Sequence, residues 1–294
     1  MKKNLFKYIA PFFFLMPMAL TACTNEDSLS GEALKNHLHD RMYHTTFIEY
    51  NNSPKYFMGY YKNPIKHTDY VMGADEVPNR PGYIYLMYTG EEYPAIGSDF
   101  GSKLNREHVW PQSLFRAYSK TQGVNDYDDF DYPTPYSDLY NLRPCDGDVN
   151  EARSNYSFGV NENMASGEHF SPFDPKYMPS SFTVNNGYGD VTYNGVPGDE
   201  TYRGEIARII FYVATRYDRL VINDSNSGSQ NSIGILSDLL AWNLAYPVTD
   251  REKVRNNQVE IAQGNRNLFV DNPAYACRIW GNTNDETRLA CGLN

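Results

Sequence analysis

The chain has no apolar run long enough to cross a membrane. The longest, Tyr8 to Leu20, falls short of the ~20 residues a spanning helix needs and is interrupted by Pro11 and Pro17. It also lacks a basic excess: 26 Lys and Arg face 36 Asp and Glu, a formal net charge of -10. Phosphate-binding proteins usually carry a basic face, so any such binding must be local or assisted by a metal ion. Absent too are a His-Glu-x-x-His zinc motif, a Gly-x-Ser-x-Gly nucleophile elbow and a phosphate-binding glycine loop, which removes three large hydrolase and nucleotide-binding classes. Cysteine is scarce, with four in 294 residues, so the fold cannot depend on a dense disulfide framework.

What is present begins with Lys2, Lys3 and Lys7, the apolar run, and then Leu20-Thr21-Ala22-Cys23. This resembles a bacterial lipoprotein signal, which implies removal of residues 1–22 and a lipid on Cys23. The mature chain would be more acidic still, since the leader takes away three lysines and no acid. An exported, lipid-anchored protein of the outer membrane is expected, periplasmic or at the cell surface. Residues 23–31 are polar and read as a tether, and 32–294 as one domain. In an exported chain Cys277 and Cys291 are the natural disulfide pair, closing a loop worth on the order of 3 kcal/mol. Cys145 is then odd, and reads as a small buried apolar side chain.

The periodicity of Leu34, Leu38 and Met42 predicts a helix from Glu32 to about His44, whose His37 and His39 would point to different faces. Tyr83 to Tyr88 reads as a strand beneath the site. Three helices are expected near the C-terminus: Tyr202 to Tyr217, Ile233 to Ala245, and one capped by Asp250 that runs to about Gln263 and ends at Gly264. Residues between Gly159 and Asp199 read as loops with short strands. The acidic run Asp126 to Asp131 lacks the glycine and distal glutamate of a calcium-binding EF-hand loop, and reads as solvated.

Three segments carry the chemistry: Arg106-Glu107-His108-Val109-Trp110-Pro111-Gln112-Ser113, Asp138-Leu139-Tyr140-Asn141-Leu142-Arg143-Pro144, and Asp148-Val149-Asn150-Glu151-Ala152-Arg153-Ser154-Asn155. His108 can act as a general base, since its ordinary pKa lies near neutrality. Glu107 and Asn150 offer hard oxygen ligands that suit magnesium or calcium better than zinc. On a strand Glu107 and His108 would point to opposite faces, so a strand end or bulge is expected there.

In order and spelling these segments resemble the bacterial endonuclease I family. The resemblance continues through Arg203 to Arg208, Trp242 to Val248 and Ile261 to Val270, and covers roughly residues 83 to 280. It implies an α+β fold, with a His-Me finger (ββα-metal) core in a single mixed domain resting on a mainly helical C-terminal scaffold. It implies a metal-dependent endonuclease with little sequence preference, acting on DNA and also on RNA and leaving 5′-phosphates. By the same resemblance His108 is the base, and Glu107 and Asn150 hold one divalent cation, magnesium first, with calcium or manganese as alternatives. Arg106, Arg143 and Arg153 are the expected substrate contacts, and Arg116 and Arg143 are candidates for the arginine that stabilises the departing group. Tyr140 stands where the family usually has histidine, and Cys145 where a smaller residue is typical. A monomer is expected. The competing reading is a lipoprotein that binds nucleic acid or another polymer without cleaving it; the intact Glu107, His108 and Asn150 weigh against it.

Overall fold

The computed structural model describes residues 26–46, 48, 50, 67–95, 103–115, 134–217, 219–226, 229 and 231–293. The signal segment, Cys23, Arg116 and the run Asp126 to Asp131 lie outside them. Residues 26–31 of the expected tether are described, and they are docked on the body. Glu26–Ser28 forms a 3-10 turn. The Glu26 carboxylate accepts hydrogen bonds from Tyr275, His37 and Arg41, and Arg278 reaches the carbonyls of Glu26 and Leu29. Two of these partners lie about 250 residues away along the chain, so composition alone could not reveal them.

Helix α1, Gly31–Tyr43, buries Leu34, Leu38 and Met42 completely, the stripe its spacing predicts. The two histidines diverge, His37 to Glu26 and His39 to the Thr215 carbonyl. Helix α2 is His67–Ala74. Strands β1, Tyr83–Tyr85, and β2, Glu92–Pro94, form an antiparallel pair. The aromatic run therefore leaves the strand after Tyr85, and Leu86–Gly90 closes a turn through a hydrogen bond from the Gly90 amide to the Leu86 carbonyl. Turn geometry overrides β propensity there, and Tyr88 takes a φ of 74°.

Strands β3, Leu104–His108, and β4, Leu142–Asp146, pair antiparallel, and β4 runs directly into α3, Gly147–Arg153. The Asp146 side chain caps α3 by accepting from the amides of Asp148 and Val149. Strands β5, Ser181–Asn185, and β6, Asp190–Asn194, alternate exposed and buried residues as a half-covered hairpin should. With the short parallel pair β7, Val221–Ile222, and β8, Ser232–Ile233, the strands form four two-stranded sheets among the described residues.

The scaffold is helical. Every residue of α4, Tyr202–Arg216, is buried, and α5, Leu236–Ala245, packs against it. Helix α6, Asp250–Gln263, packs on α2 and ends at Gly264 in the left-handed conformation. Its N-cap is Thr249, which shares a capping box with Glu252; Asp250 is the first helical residue, not the cap. Short helices α7, Leu268–Asp271, α8, Tyr275–Trp280, and α9, Asp285–Ala290, complete the chain. A disulfide joins Cys277 to Cys291 across 14 residues, with a Cα–Cα separation of 5.7 Å. One cluster of buried side chains runs from Leu34 in α1 to Ile279 in α8, and the protein is a mixed α+β structure. Cys145 is fully buried and unpaired within it.

Candidate active site

The site is assembled on β3, β4 and α3. The two strands pair residue for residue, with Glu107 opposite Arg143 and His108 opposite Leu142. No bulge interrupts β3; it ends at His108, the strand end the sequence requires. Alternation then sends the two side chains to opposite faces, Glu107 toward α3 and Tyr88, His108 toward an aromatic wall.

Glu107 is almost wholly buried. Its Oε1 accepts a hydrogen bond from the Tyr88 hydroxyl and lies 3.3 Å from Nη1 of Arg153. Burial pushes the carboxyl pKa above its ordinary value, against the pull of Arg153, Tyr88 and the His108 amide. Asn150 lies one turn before Arg153, so it shares the face of α3 that Arg153 presents to Glu107. Its side-chain amide has no hydrogen-bond partner among the described residues.

The His108 ring stacks on Tyr136 at 5.3 Å and on Tyr50 at 5.6 Å, with the edge of Phe115 beyond. Nε2 lies 2.9 Å from the Tyr136 carbonyl. A carbonyl can only accept, so Nε2 carries the proton and Nδ1 keeps its lone pair in the neutral ring. Burial, reinforced by the charges of Arg106 and Arg153 and opposed by the Tyr136 carbonyl, lowers its pKa to about 4. Asn141 holds this arrangement in place. Its Oδ1 accepts from the Trp110 amide at 2.7 Å, and its Nδ2 donates to the carbonyls of Trp110 and Pro135. The exit of β3 is thereby clipped to the segment that supplies Tyr136.

The three arginines read as substrate contacts part company. Arg106 is half-buried on the His108 face, stacked 3.5 Å over the Tyr50 ring and donating to the Tyr50 carbonyl. Arg143 and Arg153 are instead fully enclosed, so neither faces a phosphate in this arrangement. Arg143 is bound by Asp75, at 2.6 Å, and by Glu205; burial works against its charge, but these carboxylates outweigh it and hold the pKa above the ordinary guanidinium value. Arg153 donates to the carbonyls of His108 and Val109 and ties α3 to the end of β3. Sequence reasoning assigned no role to Tyr88 or Asn141. Asn141 stood inside a quoted motif, whereas Tyr88 gave no signal beyond an aromatic run.

Among the described residues no group of three or more His, Cys, Asp or Glu could hold a metal. The donor set here is smaller: the Glu107 carboxylate, whose side-chain contacts both fall on Oε1, and the unpartnered amide oxygen of Asn150. Two hard oxygens fit a cation such as magnesium, which keeps several waters and takes further oxygens from a phosphate.

The endonuclease I family model matches residues 30–274. The chain belongs to the endonuclease I family. Within reach of that family, it is 32% identical over 264 residues to an extracellular ribonuclease of Bacillus subtilis (strain 168), covering 85% of this chain and 75% of the relative. An extracellular ribonuclease of Bacillus amyloliquefaciens is 34% identical over the same coverage. An Endonuclease-1 of Buchnera aphidicola subsp. Baizongia pistaciae (strain Bp) is 28% identical over 58% of this chain and 62% of its own. This member of the endonuclease I family is therefore a nuclease, and its substrate is nucleic acid. Where it departs from the family's spelling, Tyr140 serves the scaffold, donating to the Asn256 side chain at 2.7 Å. No helix among the described residues is long and apolar enough to cross a membrane.

Proposed function

We propose that the protein is a metal-dependent endonuclease with little sequence preference, which hydrolyses phosphodiester bonds of DNA and RNA on a ββα core formed by β3, β4 and α3, the His-Me finger. The observation that carries this reading is the His108 ring, oriented by the Tyr136 carbonyl so that Nδ1 keeps the lone pair. In the reaction Nδ1 takes a proton from water as its oxygen bonds to phosphorus. The P–O3′ bond breaks, leaving a 5′-phosphate and a 3′-hydroxyl after protonation of the leaving oxygen. A ring with a pKa of about 4 is a weak base, yet it is unprotonated at neutral pH, and the Tyr136 carbonyl stabilises the imidazolium as it forms.

Glu107 and Asn150 hold one divalent cation, magnesium first. When bound it supplies positive charge to the phosphate and the leaving oxygen, which the acidic chain does not otherwise concentrate there. We assign Arg106, which lies on the His108 face over the Tyr50 ring, to the phosphate backbone. Action on RNA is supported by the relatives named as ribonucleases, and internal cleavage by the relative named as an endonuclease; action on DNA follows from the family resemblance. Export is supported by the two relatives named as extracellular and by the leader; we add to this proposal a lipid on Cys23 that tethers a monomer to the outer membrane.

The roles separate by experiment. His108→Ala is expected to lower kcat by about 10²- to 10⁴-fold while the magnesium concentration for half-maximal rate stays within about threefold. Glu107→Ala and Asn150→Ala are expected to raise that concentration by about tenfold or more. A His108→Ala enzyme with wild-type kcat would refute the base.

A further inference from the structure

Tyr88 is an odd residue to find where it is. Its φ of 74° lies in the left-handed region that a bulky side chain rarely occupies, and its ring is completely buried, with Phe173 at 4.8 Å and Phe158 at 6.2 Å. Core packing would be served by a phenylalanine in an ordinary conformation. The unusual backbone instead aims the hydroxyl at one atom, Oε1 of Glu107. The same oxygen meets Arg153, whose other hydrogen bonds fix it to the His108 and Val109 carbonyls. The carboxylate is thus gripped at one oxygen from two directions. Helix α3 on one side and the Leu86–Gly90 turn on the other converge on it.

We propose that Tyr88 is a positioning residue of the cation site: its hydroxyl fixes the Glu107 carboxylate by Oε1 and leaves Oε2 to the metal. The inference rests on the reading of Glu107 as a metal ligand. Hydrogen bonds that orient a ligating carboxylate govern metal affinity even though they never touch the metal. Tyr88 therefore acts through Glu107 and has no direct part in moving the proton or binding the phosphate.

Tyr88→Phe removes one oxygen and keeps the ring that Phe158 and Phe173 enclose. The test measures Mn2+ binding directly, by the electron paramagnetic resonance signal of the free ion, for the wild type, Tyr88→Phe and Glu107→Ala. Alongside are kcat at saturating Mn2+ and the thermal midpoint in EDTA. The Tyr88→Phe protein is expected to bind Mn2+ about tenfold more weakly, with kcat at saturating metal within about threefold of wild type. A lowered thermal midpoint with unchanged Mn2+ affinity, while Glu107→Ala binds weakly, would overturn the positioning role and leave the ligand reading standing. Unchanged affinity in Glu107→Ala would overturn both. Tyr88→Met, which fills the same apolar pocket without a hydroxyl, serves if the phenylalanine variant does not fold.

Discussion

His108 is held as a neutral ring by the packing that orients it, and this makes the site sensitive to acid in a calculable direction. Its folded pKa of about 4 lies below the ordinary 6.5. Above pH 6.5 the ring is neutral in both folded and unfolded chains and contributes no pH dependence. As pH falls through that window the unfolded chain takes up a proton that the folded one refuses, so stability declines until about pH 4. The loss at this one residue is on the order of 3 kcal/mol. Glu107, whose pKa is raised, works in the opposite sense, so the comparison must isolate the histidine. Urea unfolding of wild type and His108→Ala in EDTA, between pH 7 and pH 4, is expected to show the wild type losing stability faster on acidification. Parallel curves would show that the ring is not held neutral.

At the scale of elements, much of the framework is local and could be read from the chain. The stripe of Leu34, Leu38 and Met42 makes α1 because a single helical face must be covered, α4 follows from the same periodicity, and Gly264 marks the end of α6. Errors arise where neighbouring residues compete for one role or where a distant partner decides. Thr249 and Asp250 can both cap a helix; the capping box with Glu252 selects Thr249. Thr249→Ala is expected to cost about 1 kcal/mol and Asp250→Ala less, measured by urea midpoint; equal losses would contradict the cap. Arg143 looked like a phosphate contact, yet Asp75 and Glu205, 68 and 62 residues away, claim it. The Tyr88 turn is illegible for a similar reason, since its aromatic neighbours favour a strand and only Glu107 explains the hydroxyl.

Among the described residues the polar site is set in a body stitched by buried ion pairs. Arg143, Arg255, Asp75 and Glu205 form a buried network joining the residue after α2 to β4, α4 and α6. Such a network lends little net stability but becomes costly when one member is removed, so it fixes β4, and through it α3, against the scaffold. The motif order in the sequence made the family legible, while the enclosure of Glu107 and His108 by tyrosines and buried arginines needed the fold. The docked Glu26–Ser28 turn ties the N-terminal end of the described chain to α1 and α8. Cleavage of nucleic acid through His108 and a divalent cation is measured by incubating plasmid DNA with purified residues 24–294 in magnesium, in EDTA, and in magnesium with His108→Ala. Cleavage is expected in the first condition alone; equal cleavage in all three, or none by the folded wild type in any divalent metal, would contradict it.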